Sequence, residues 1–112
     1  MAQPIPEPWR ISVIAALKTG DGRLIEWTAP ALQRWKTDTF GAWNYEAYEA
    51  IIAALSLPEV TGNQTSAFAG QSAVYDLLFH FGRKLMYGKI ALRTDGLRIL
   101  ILSAHTAERS SL

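Results

Sequence analysis

Two histidines, His80 and His105, and a group comprising Lys84, Tyr87, Lys89 and Arg93 are the side chains of this chain best suited to chemistry. Their types match the needs of metal-independent RNA cleavage. That reaction requires a base for the 2′-hydroxyl, an acid for the leaving oxygen, and cations for the charge that builds on the phosphate. In this assignment Lys89 and Arg93 hold the scissile phosphate, Tyr87 orients it or stacks a base, and His105 acts as general acid or base. Lys84 and His80 serve substrate binding. Each residue also has an ordinary alternative. Lys89 would pair across strands with Asp76, a contact of about 0.2–1 kcal/mol. Lys84 and Arg93 would be solvated strand ends, and His105 a strand-terminal histidine without a role.

Other chemistries have less to work with. Cysteine is absent, which excludes disulfides, thiol catalysis and thiolate metal sites. The two histidines are far apart and form no His-x-His or His-x-x-x-His pair, so no metal and no cofactor is expected. Gly20-Asp21-Gly22 is not a nucleotide loop, and neither a Walker motif nor a Gly-x-Ser-x-Gly elbow occurs. The chain has 112 residues, 49% hydrophobic and 19% charged, with a net charge of +1. This describes one globular domain with a real core, and any basic surface must be local. No apolar run approaches the roughly 20 residues of a membrane span. The first residues lack a basic segment followed by an apolar one, so a cytoplasmic protein without membrane association is expected.

The candidate residues sit in three runs that alternate and turn like an antiparallel meander: 73–81, 84–93 and 97–105. Gly82-Arg83 and Asp95-Gly96 lie between them, the second a strong hairpin signal. A two-residue turn at Gly82-Arg83 sets Phe81 opposite Lys84, Leu78 opposite Tyr87 and Asp76 opposite Lys89. One face then holds Tyr75, Leu77, Phe79, Phe81, Met86, Ile90 and Leu92, and belongs beneath helices. Gly88 lies among them, where a neighbour can approach closely. The third run has two readings. A two-residue loop at Asp95-Gly96 turns His105 toward the helices. A three-residue loop, Thr94 to Gly96, turns it toward Tyr87 and Lys89. Leu97 to Leu102 is apolar on both sides, so the pattern does not choose, but such a strand calls for another strand or a partner beyond it.

The first half must supply the cover. Residues 1–8 form an extended proline-rich arm, and 9–112 a single α+β domain. A helix is expected over 9–18 with Gly20 closing it, with a strand as the competing reading. Residues 22–27 form a short strand or an extended connector. Thr28 caps a helix running to about Thr37, with Pro30 tolerated in its first turn. Asn44 caps another, 45–55, ended by Pro58. Residues 59–72 form a long loop with room for a short strand. The expected fold is α+β, two or three N-terminal helices packed on one face of a three- to four-stranded antiparallel sheet. Trp9, Trp27, Trp35 and Trp43 all lie in the helical half, where core packing is the ordinary role and a partner surface the alternative.

The stretch Leu24-Ile-Glu-Trp-Thr-Ala-Pro-Ala-Leu-Gln-Arg-Trp35, the second helix, Leu57-Pro58-Glu59, the loop and the meander resemble the RelE/MqsR-like superfamily of bacterial toxin endoribonucleases. The resemblance spans residues 22–105. It implies a toxin-like endoribonuclease of a toxin–antitoxin pair, with RNA, free or ribosome-bound, as substrate and a cognate antitoxin or other small protein as partner. It offers Lys84, Tyr87, Lys89, Arg93 and His105 as sheet counterparts of the family's site. Where relatives often read Thr-x-His-Ala, this chain reads Thr28-Ala-Pro-Ala31, so Pro30 stands in place of a histidine. The alternative is a non-catalytic interaction module, such as an antitoxin-like, immunity or phage-encoded inhibitor protein, or a small subunit of a larger assembly.

Overall fold

The helices start where the backbone donors of the first turn can go unpartnered or find a side chain. In this computed structural model, which describes residues 2–65 and 71–112 and only the backbone of Gln71 and Ser72, the first helix is α1, Glu7–Thr19. Pro8 fits its first turn, Glu7 lies at the positive end of its dipole, and Gly20, at φ +61°, closes it. Glu7 and Pro8 therefore belong to the helix and not to the arm. The arm itself carries β1, Gln3–Pro4. Helix α2, Ala29–Asp38, is capped by Thr28, whose Oγ1 accepts from Ala31 N at 3.2 Å. Helix α3, Asn44–Leu55, begins one residue earlier than expected, because the Glu46 carboxylate reaches back to Trp43 N at 2.8 Å.

Strand β2, Ile25–Trp27, lies between α1 and α2. After α3 come β3, Thr61–Gly62, β4, Gln64–Thr65, β5, Gln71–Phe81, β6, Lys84–Arg93, and β7, Ile99–Thr106. Strands β1 and β3 pair in a small antiparallel ladder; the main sheet has the order β2-β7-β6-β5-β4. It has five strands and is mixed, since β2 runs parallel to β7. The expectation of three or four antiparallel strands is corrected on both counts. The reason lies in β7, apolar on both faces, which is flanked on each side by β6 and β2. Part of the expected 59–72 loop is β3 and β4; residues 66–70 lie outside the described residues.

The β5–β6 register is the expected one: Phe81 opposite Lys84, Leu78 opposite Tyr87, Asp76 opposite Lys89. Gly82 sits in the turn at φ +60°, a conformation that favours glycine. A Cβ on Gly88 would lie 3.1 Å from the Phe79 ring, which is the close approach its place in the strand suggested. The β6–β7 ladder follows neither expected course alone. Leu92, Ala91 and Ile90 face Ile99, Leu100 and Ile101, the register of the two-residue loop. A bulge at Leu102 then shifts the pairing, so that Lys89 faces Ser103 and Tyr87 faces His105. The loop register alone would have turned His105 toward the helices; the extra residue of the bulge returns it to the other face.

The helices cover the predicted apolar face. Leu77, Phe79, Met86, Ile90, Ile99 and Ile101 are all fully buried there against Val13, Leu17, Trp35, Ile51 and Leu55. The Trp35 ring meets the Phe81 ring edge-on at 5.0 Å. Trp27 Nε1 donates to Tyr48 Oη at 2.9 Å, and Trp9 Nε1 to the Ala73 carbonyl at 3.3 Å. These three tryptophans pack in or against the core, whereas Trp43 is 67% exposed.

Candidate functional site

The face of the sheet away from the helices carries a polar group at its middle. Asp76, on β5, is only 7% exposed. A carboxylate so enclosed needs donors. It has Asn63 N on Oδ1 at 2.7 Å and Tyr87 Oη on Oδ2 at 3.0 Å. Asn63 sits between β3 and β4 and is held in turn by Asp76 N, which donates to the Asn63 carbonyl at 3.1 Å. Gly62 makes this approach possible, since a Cβ there would fall 1.9 Å from the Asp76 carbonyl oxygen. Burial, and then the Asp76 hydrogen bond and charge, push the Tyr87 phenol up to about 12. At neutral pH Tyr87 is therefore a neutral donor fixed on Asp76, suited to positioning and unsuited to base duty.

His105 faces Tyr87 across the strands, their ring centroids 5.3 Å apart and tilted by 32°. Its Nδ1 lies 2.9 Å from the Thr106 carbonyl. A carbonyl only accepts, so Nδ1 carries the hydrogen and Nε2 of the neutral ring holds the free lone pair. Asn63, Asp76, Leu78, Tyr87 and His105, with Glu108 and Arg109 of the C-terminal segment, line a cavity of about 340 Å³. The segment after β7 thus passes over the sheet beside the polar group.

The predicted residues divide into those the fold brings together and those it does not. Tyr87 and His105 are adjacent. Lys89 is two residues from Tyr87 on the same face, opposite Asp76 on one side and Ser103 on the other. The ion pair with Asp76 that was its ordinary alternative does not form: Asn63 and Tyr87 hold that carboxylate, and among the described residues Lys89 has no ion-pair partner. Arg93 is on the same face but four residues further along, about 13 Å at about 3.3 Å per residue. Its Nη2 donates to Glu26 Oε1 at 2.9 Å, tying β6 to β2 across β7. His80 is exposed, opposite Leu85 near the hairpin end, and borders a larger groove shared with Ala53, Leu57 and Leu112. Lys84 lies on the other face. It pairs with Phe81, so it points toward the helices, where Nζ donates to the Asp38 carbonyl at the end of α2 at 2.5 Å.

Asp76 lies on the expected face and opposite Lys89 as expected, but its carboxylate is held by Asn63 and Tyr87, and Asn63 was not among the candidate residues. The signal for Asp76 was a carboxylate between Tyr75 and Leu77 in a run that is mostly apolar; nothing marks Asn63. Among the described residues no three His, Asp or Glu side chains are grouped to hold a metal, and no helix is long and apolar enough to cross a membrane. No family model, curated protein or solved structure matches the chain.

Proposed function

We propose that the Tyr87, Lys89 and His105 face cleaves RNA without a metal, and that the chain is a toxin-like endoribonuclease of a toxin–antitoxin pair. The observation that carries this reading is the bulge at Leu102, which sets His105 opposite Tyr87 and beside an uncommitted Lys89. In this reading Nε2 of His105 takes the proton of the 2′-hydroxyl as its oxygen attacks phosphorus. The Lys89 ammonium faces the charge on the phosphate and protonates the departing 5′ oxygen. The products are a 2′,3′-cyclic phosphate and a free 5′-hydroxyl, so protons and charge balance without a further reactant. Tyr87, locked on Asp76, orients the phosphate or stacks a base. Arg93 no longer shares the phosphate, because it is engaged with Glu26 and too far from Lys89.

The substrate is RNA, free or ribosome-bound, and the chain works in the cytoplasm. A cognate antitoxin would cover the Tyr87 and Lys89 face with acidic side chains. The test is expression in a bacterial host beside Lys89→Ala and His105→Ala. Wild type arrests growth and leaves cyclic phosphate ends on RNA, and each variant relieves both. Normal growth on wild-type expression, with intact RNA, refutes the reading. A second reading, a non-catalytic interaction module, is favoured by one observation: Arg93, one of the expected cations, is neutralised within the fold by Glu26. A partner recovered with full-length protein that cuts no RNA would favour that module.

A further inference from the structure

The turn between α2 and α3 holds two exposed aromatic side chains that do nothing for the core. Phe40 is 91% exposed and Trp43 67% exposed. Phe40 has φ +56°, the left-handed region where glycine or asparagine would sit with less strain. A phenylalanine there is unfavourable twice, in backbone conformation and in exposed apolar surface, and it buries nothing in return. Each ring also has an ammonium beside it. Lys84 Nζ lies 4.6 Å from the Phe40 centroid, and Lys36 Nζ 5.7 Å from that of Trp43. Both ammonium groups are anchored, Lys84 on the Asp38 carbonyl and Lys36 on the Ala42 carbonyl at 2.7 Å. Open rings flanked by fixed cations suit a ligand that offers flat faces and phosphates in alternation.

We infer that Phe40 and Trp43, with Lys84 and Lys36, form a stacking subsite for single-stranded RNA flanking the Tyr87 and His105 site. The inference rests on the ribonuclease reading for its direction. Continuity supports it: Asp38 touches both regions. Its carbonyl holds Lys84, and its carboxylate accepts from Thr106 N at 2.9 Å, the residue after His105. A strand leaving His105 around the end of the sheet would meet Lys84 and Phe40 next. An apolar protein surface would have to bury both ammonium groups without counter-charge, whereas a polynucleotide supplies phosphates.

The experiment measures binding of a 2′-O-methyl oligonucleotide of about eight nucleotides, which cannot be cleaved and fits the usual span of such sites. Wild type is compared with Phe40→Gly, Trp43→Ala and, as an exposed apolar control outside both sites, Leu97→Ala by fluorescence anisotropy. Phe40→Gly and Trp43→Ala should each weaken binding about 5- to 150-fold, the effect of one lost base stack, with thermal melts no lower than that of wild type. Leu97→Ala should bind like wild type. On a dinucleotide too short to reach the turn, Phe40→Gly should cleave at the wild-type rate. Oligonucleotide affinity unchanged in both aromatic variants overturns the subsite. So does a wild type that binds no oligonucleotide, and capture by phosphatidylserine vesicles lost in Phe40→Gly would then assign the turn to a membrane. Weakened binding in the aromatic variants of a protein that cuts no RNA keeps the subsite and removes only the ribonuclease reading.

Discussion

Strands β5, β6 and β7 present two faces under different physical demands. On one, Phe79, Met86, Ile90 and Ile101 are sealed beneath the helices in a continuous apolar cluster. On the other, Asp76, Tyr87 and His105 surround a cavity, Lys89 stands beside them, and Arg93 is tied to Glu26. The first face has one requirement, dense packing, and any residue of the right shape meets it. The second holds a nearly buried carboxylate whose two oxygens are both satisfied, one by a loop and one by a phenol. Such an arrangement is exacting, because losing either donor leaves charge uncompensated. The same bonds tie the turn at Asn63 to β5. Polarity on this face is confined: Val74 and Ala91, nearer Arg93, are themselves fully buried.

The contrast can be broken most forcefully from the packed side. Phe79→Ala should cost about 3–5 kcal/mol in urea unfolding, through the cavity left against Trp35. On the other face His80→Ala, at an exposed position, should stay within about 0.5 kcal/mol. Comparable losses at both positions would erase the distinction. Gly62→Ala comes next. Its Cβ would strike the Asp76 carbonyl, so β3 must move, at about 1–3 kcal/mol, with weakened protection of the Asp76 amide in hydrogen exchange. Wild-type stability for this variant would show that the strand yields freely.

Tyr87→Phe should cost somewhat less, about 1–2 kcal/mol, by removing one donor from Asp76. The same bond has a pH signature. The Tyr87 phenol is raised from 10 to about 12 in the folded protein, so the neutral form is the one the fold favours. Its contribution is fully present below about 10 and is lost as pH rises through about 12. Tyrosinate absorbance should show a late-ionising component in wild type that Tyr87→Phe removes; identical titrations of the two would mean that in solution the phenol is neither buried nor held on Asp76. A smaller effect than that of Tyr87→Phe is expected of Arg93→Ala. Its half-exposed pair with Glu26 is worth about 0.2–1 kcal/mol, and stability should fall by no more than that.

Much of this was legible from residue patterns, for reasons that differ by element. The β5–β6 register followed from a two-residue turn with Gly82 and a clean alternation on both strands. The start of α2 followed from Thr28, local chemistry that tertiary context did not override, whereas Pro8, read as part of the arm, lies in the first turn of α1. Strand β2 carried too little pattern in three residues to show its parallel pairing. The bulge was invisible because Leu97 to Leu102 is apolar on both sides, so a shift of one residue leaves no trace in polarity. Lys84 was a different kind of miss. Its pairing with Phe81 already assigned it to the helix side, and residue type outweighed parity. Arg93 could not be separated from Lys89 until β2 brought Glu26 beside it.

In the proposed function the polar face works through His105 and Lys89 and not through Arg93. Its most direct test is the single-turnover rate of RNA cleavage in chelator by purified wild type, His105→Ala and Arg93→Ala, all verified as equally folded. Wild type should cleave, His105→Ala should cut about 10²–10⁴ more slowly, and Arg93→Ala should stay near the wild-type rate. The proposed function is contradicted if wild type cuts neither free nor ribosome-bound RNA, or if His105→Ala cuts as fast as wild type while Arg93→Ala is inactive.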